Sequence, residues 1–134
     1  MTEKELKQIT KKVAIDVARL CEKLTINLIN RTYIDQIIRS SASIGSNYRA
    51  ACRAKSTKDF IYKLQVVEEE SDETMYFLEL LAEFNAKYKV EMRNIYRTAE
   101  IVLKVMVASI KTSQKKQESL RLAKIKNLKP KNKK

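Results

Sequence analysis

The chain has 134 residues, with 28 lysines and arginines against 16 acids, no histidine, one glycine and one proline. That length suits one domain with a modest core, and the shortage of turn formers excludes a strand-rich fold. The missing histidines remove the usual general base and the usual metal ligand. An all-α binding protein is expected, not an enzyme.

Thr2 with Glu5 makes a capping box. Leu6, Ile9, Val13, Val17, Leu20, Leu24 and Leu28 then step by three or four, which predicts a first helix over 3–30 and a break at Asn30-Arg31-Thr32. Ile34, Ile38, Ser41, Gly45, Tyr48 and Cys52 predict a second helix over 34–54. Ser56 with Asp59 starts a third, over 57–85, whose stripe is Phe60, Leu64, Val67, Ser71, Met75, Leu78 and Leu81. After Asn85-Ala86-Lys87, a fourth helix over 90–118 carries Ile95, Ala99, Val102, Met106 and Ile110. Four helices with short connections give an antiparallel up-down four-helix bundle over 1–118. Residues 119–134 show no sustained stripe and are expected to form a flexible, disordered, lysine-rich tail.

Helices three and four carry more apolar surface than one core needs. Phe77, Leu80 and Phe84 lie off the main stripe of helix three, and 101–110 is almost wholly apolar. A second apolar face asks for a second cover, so a homo-oligomer is expected.

The single glycine, Gly45, sits inside a predicted helix, in the run RSSASIGSN at 39–47. Glycine there costs about 1 kcal/mol relative to alanine, and the compensation is close approach of a neighbour. Arg39 and Asn47 bracket the run on one helix face. With helices two and three antiparallel about a turn near residue 55, Arg39 faces Glu70 to Glu73. Arg39, Gly45, Asn47, Glu70 and Glu73 are therefore expected to serve structure.

Cys21 and Cys52 make neither a disulfide framework nor a zinc site. There is no glycine-rich phosphate loop, and Glu68 to Glu73 wind around their helix without converging. No cofactor or metal is expected. No apolar run approaches a membrane span, and the start of the chain is too charged for a signal peptide, so a cytoplasmic protein with free thiols is expected. Binding remains. Residues 111–134 hold ten lysines and arginines and one acid. Lys124, Lys126, Lys129 and Lys131 in this arm, with Arg49, Arg53, Lys55 and Lys58 at the turn between helices two and three, are the candidate nucleic-acid contacts. Tyr48 and Tyr62 stand near that turn and could stack on bases, though core or rim packing is the favoured alternative for both. The alternative for the turn is a solvated charged corner.

The pattern Gln36, Arg39-Ser40-Ser41, Ser43-Ile44-Gly45-Ser46-Asn47, Arg53, Lys55-Ser56, Asp59-Phe60 and Lys63-Leu64 resembles the four-helix-bundle proteins encoded within intervening sequences of 23S ribosomal RNA genes. Glu70-Ser71-Asp72-Glu73-Thr74, Tyr76, Leu78 and Leu80-Leu81 are similar to that family's third helix. Tyr48 stands where the family commonly has isoleucine. The resemblance covers about 5–115 and implies a left-handed bundle that assembles into a ring of five subunits. A related group of small basic bundles serves diversity-generating retroelements by binding a reverse transcriptase and its RNA. The two expectations are thus a non-enzymatic oligomeric scaffold for nucleic acid, RNA before DNA, and an adaptor for a reverse transcriptase.

Overall fold

The computed structural model describes residues 1–128. Four helices make up nearly all of them: α1 (Glu3–Lys23), α2 (Leu28–Cys52), α3 (Thr57–Phe84) and α4 (Lys89–Leu128), with a single 3-10 turn at Ala86–Tyr88 before α4. Each helix packs on its neighbours in sequence, and α1 closes the bundle against α4, while the backbones of the diagonal pairs stay apart. Asn30 bonds to Asn85 and Ser40 to Thr74, so numbering rises along α2 as it falls along α3.

Caps set the helix starts. Thr2 Oγ1 accepts from the Glu5 N–H at 3.1 Å, and Ser56 Oγ from the Asp59 N–H at 3.0 Å, each satisfying a donor that the first turn leaves orphaned. The first helix is shorter than its periodicity predicts. Leu24 is extended, and Asn27 Oδ1 accepts from the Asn30 N–H at 2.8 Å, starting α2 at Leu28. Leu28, predicted as the last core residue of the first stripe, is exposed. A good asparagine cap has overridden a continuing apolar period.

The core contains Val13, Val17 and Leu20 of α1, Leu64, Val67, Leu78 and Leu81 of α3, and Val102 and Met106 of α4. Helix α2 is rotated from its predicted stripe. It buries Ile37 and Ile44, whereas Ile38 is exposed. Ser41 and Tyr48 of that stripe are buried as predicted, and the rotation adds Ser40, whose Oγ lies 2.9 Å from Thr74 Oγ1; no buried side-chain polar atom of the described residues lacks a partner. Buried hydroxyls that are hydrogen-bonded cost little, so polarity alone misplaces this face.

The fourth helix runs ten residues past its predicted end at 118. Gln, Lys, Glu, Leu, Arg and Ala at 114–124 are all good helix formers, and Arg121 pairs with Glu118 at 2.6 Å one turn back. Residues 119–128, expected to be disordered, are therefore helical, and the side chains after Ile110 are exposed apart from a half-buried Ser113. Residues 129–134 of the predicted tail lie outside the described residues.

Candidate nucleic-acid interface

The first turns of α1 point Leu6, Thr10 and Val13 inward. Lys4, Lys7 and Lys11, at i, i+3 and i+7, consequently share an outward face. Across from them α2 presents Ala42, Gly45 and Arg49, and the two helices enclose a groove of about 500 Å³. Gly45 permits their close approach. A Cβ there would stand 3.3 Å from Thr10 Oγ1 and 3.6 Å from the Thr10 carbonyl carbon. The Thr10 hydroxyl is held by donating to the Leu6 carbonyl at 2.8 Å. The small-residue run thus does two jobs: its serines at 40 and 41 enter the core, and Ala42 and Gly45 floor a groove.

Among the described residues no acid lies within ion-pair distance of Lys4, Lys7, Lys11 or Arg49. Lys12, one position away, is spent on Asp16. Arg53 ends α2, donating its N–H to the Ala50 carbonyl. Lys55 and Lys58 follow, all three exposed and without an ion pair among the described residues. Tyr62 is exposed one turn after Lys58. Tyr48, the other aromatic named from sequence, is buried and cannot reach a base. Burial also holds its phenol well above the usual tyrosine range.

The structure joins Arg49 to the α1 lysines, which the sequence reading had missed. Their helical spacing was legible, but their position opposite Arg49 is a tertiary fact. Lys124 lines a second groove, of about 530 Å³, between α4 and Thr57 at the start of α3, which brings it beside the corner. Lys126 is exposed on the projecting helix, and Lys129 and Lys131 lie outside the described residues.

Of the expected structural residues, Arg39, Glu70 and Glu73 lie on the α2–α3 seam, and Gly45 on the α1–α2 seam. Arg39 Nη2 lies 2.6 Å from Glu73 Oε2, and Nη1 3.1 Å from Glu70 Oε2. Asn47 Nδ2 donates to the Ser43 carbonyl at 2.9 Å within its own helix.

The model of the 23S rRNA-intervening sequence proteins matches residues 2–108. The chain belongs to that family. A solved structure from the S23 ribosomal protein family, a Bacteroides thetaiotaomicron protein of unknown function, is 30% identical, covers 83% of this chain and 99% of its own, and superimposes with a TM-score of 0.71. No curated protein matches the chain. The family match holds the groove and the corner within it and stops before the projecting part of α4. The described residues include no helix long and apolar enough to cross a membrane, and no cluster of metal-binding side chains.

Proposed function

We propose that this family member is a non-enzymatic RNA-binding scaffold that acts as a left-handed bundle in a homo-oligomer, five copies by family resemblance. The observation that carries the reading is the α1–α2 groove, where four cations without ion partners among the described residues surround a floor of small residues. Unpaired cations neutralise phosphates and release counterions on binding. No aromatic lines the groove, so its contacts go to the backbone and carry no base information. Tyr62, beside Lys58, supplies the stacking surface that single-stranded RNA uses. Self-association rests on apolar side chains left exposed on α3 and α4, among them Tyr76, Phe84, Val90 and Ile101. A ring would repeat each weak cationic site and gain by avidity.

The test is fluorescence anisotropy with single-stranded RNA at several salt concentrations, comparing the full chain with a variant in which Lys4, Lys7, Lys11 and Arg49 are alanine. Each lost phosphate contact should lower the slope of log K against log salt by about 0.7. Unfolding free energy should stay within about 0.5 kcal/mol, because the four side chains are exposed. An unchanged slope removes the groove from the interface. No RNA binding by the full chain at low salt would favour the adaptor reading instead.

A further inference from the structure

The exposed part of α4, Lys111–Leu128, is eighteen residues long and spans about 27 Å at the helical rise. It carries six lysines and arginines and one acid. Its inner side, through Gln117, Leu120, Arg121 and Lys124, borders Thr57 of the same chain. The opposite side is different. Lys115, Leu122 and Lys126 recur at i, i+7 and i+11, and Ile125 lies beside them, giving an apolar pair flanked by two cations, while Glu118 on the same face is paired with Arg121. Leu122 is 52% exposed and Ile125 41%. Nothing else among the described residues covers them.

A surface of the opposite character lies midway along the bundle. Between α3 and α4, Glu68, Glu69 and Asp72 rim a groove of about 570 Å³ with Leu103 in its lining. None of the three acids has an ion partner among the described residues. The acidic field extends along the same face. Burial raises the Tyr96 phenol, and Glu79, Glu100 and Asp72 raise it further.

We infer that the projecting arm of one copy docks its Leu122–Ile125 face in the α3–α4 groove of a second copy, with Lys115 and Lys126 against Glu68, Glu69 and Asp72. Charge complementarity selects the occupant, and Leu103 gives the apolar pair a floor. The contact cannot form within one chain. Leu103 sits on the same continuous helix as the arm, and a rod cannot fold back on its own flank. Arm and groove are different patches, so the contact is heterologous, the kind that closes a ring when the rotation permits. The arm lies beyond the family match at 2–108, so this chain adds its own link between copies. Lys116 and Lys124, on other sides of the helix, stay available to phosphate. The inference rests on the self-association proposed above.

The test uses the full chain in light and heavy isotopic forms, mixed, joined by a zero-length carbodiimide and read by mass spectrometry, with light scattering on the same samples. Lys115 or Lys126 should link to Glu68, Glu69 or Asp72 between light and heavy copies. An arm variant (Lys115→Glu, Lys126→Glu) and a groove variant (Glu68→Lys, Glu69→Lys, Asp72→Lys) should each weaken self-association about tenfold. Their equimolar mixture should recover most of it, because in an alternating ring of five about four arms in five meet a groove of opposite sign. Leu122→Asn with Ile125→Asn should weaken it without altering charge, and circular dichroism should show every variant helical. An oligomer with no inter-copy arm–groove links, or a mixture no better than its components, overturns the arm contact and leaves the ring standing. A monomeric full chain overturns both.

Discussion

At the end where α1 passes to α2 and α3 to α4, polar side chains are tied to one another. At the opposite end, where α2 passes to α3, they face water. The tied end centres on Asn30, whose Nδ2 donates to the Thr25 carbonyl at 2.8 Å and to Asn85 Oδ1 at 3.0 Å, while Asn85 Nδ2 donates back to Asn30 Oδ1 at 2.8 Å. Lys23 adds an ion pair with Glu91, and the Tyr88 hydroxyl donates to the Lys23 carbonyl. The open end has Lys4, Lys7, Arg49, Arg53, Lys55 and Lys58, none in an ion pair among the described residues. At the tied end the paired Lys23 helps join two turns. The six cations of the open end have no ion partner among the described residues and can meet a polyanion. The difference separates fold from function along one axis of a small molecule.

The largest effect on stability should come from the tied end. Asn30 is 1% exposed, and Asn30→Ala removes its bond to the Thr25 carbonyl and both of its bonds with Asn85, which keeps only its bond to the Leu81 carbonyl. A loss of about 2–3 kcal/mol in unfolding free energy is expected, from three hydrogen bonds at about 1 kcal/mol each. RNA affinity should not change, since the site lies at the far end. Urea unfolding and anisotropy on the same variant check both halves. A loss below about 0.5 kcal/mol would mean that the amide pair is incidental and that the ends do not differ in this way.

Gly45 lies on the seam that leads into the open end, and its variants sharpen the comparison. Gly45→Leu must push a side chain against Thr10, whose carbonyl carbon would stand 3.6 Å from the new Cβ, and should cost about 1–3 kcal/mol by overpacking. Gly45→Ala should stay near wild type. About 1 kcal/mol of helix propensity is regained, and it offsets the crowding of Thr10 Oγ1 at 3.3 Å. Thermal melts compare the two. A leucine variant as stable as wild type would show that α1 does not approach as closely as described.

Legibility from sequence followed the same division. The α4 stripe Ile95, Ala99, Val102, Met106 and Ile110 is buried throughout, because each position is apolar and no polar bond competes. The α2 face was misplaced in part because Ser40 is inside, bonded to Thr74 of α3, and Asn30, predicted as a break, lies in the helix because Thr25 and Asn85 satisfy its amide. Leu24 is buried as the stripe predicted, but Leu28 continued a period that the extended Leu24 and the Asn27 cap had already ended. Lys4, Lys7 and Lys11 were visible as a face, but not as one wall of a groove, since the other wall is forty residues away along the chain. The helical arm was missed for a different reason. It has helix formers without a core stripe, and a stripe was the signal being sought.

The smallest expected effect lies between the ends, at Arg39, which the sequence placed opposite Glu70 and Glu73. The guanidinium is half exposed, and exposed pairs contribute about 0.2–1 kcal/mol. The two acids should not share that equally. Glu73 makes the shorter contact at 2.6 Å, and its hydrogen bond is the foremost cause of the raised Arg39 pKa. Glu70 is more buried, and burial raises its carboxyl above the usual glutamate range although Arg39 pulls it down. A carboxyl whose folded pKa is raised binds its proton better in the folded state. Its contribution is present below the unfolded pKa and lost as pH rises through the folded one. Glu70→Gln imitates the protonated form, so it should match wild type in acid and equal or exceed it near neutrality. Glu73→Gln should destabilise at neutrality. Double-mutant cycles with Arg39→Ala, measured by urea unfolding at pH 7, should give the larger coupling to Glu73. Equal couplings, or a Glu70→Gln variant clearly weaker than wild type at pH 7, would show that Glu70 acts as a full ion-pair partner whose burial costs nothing.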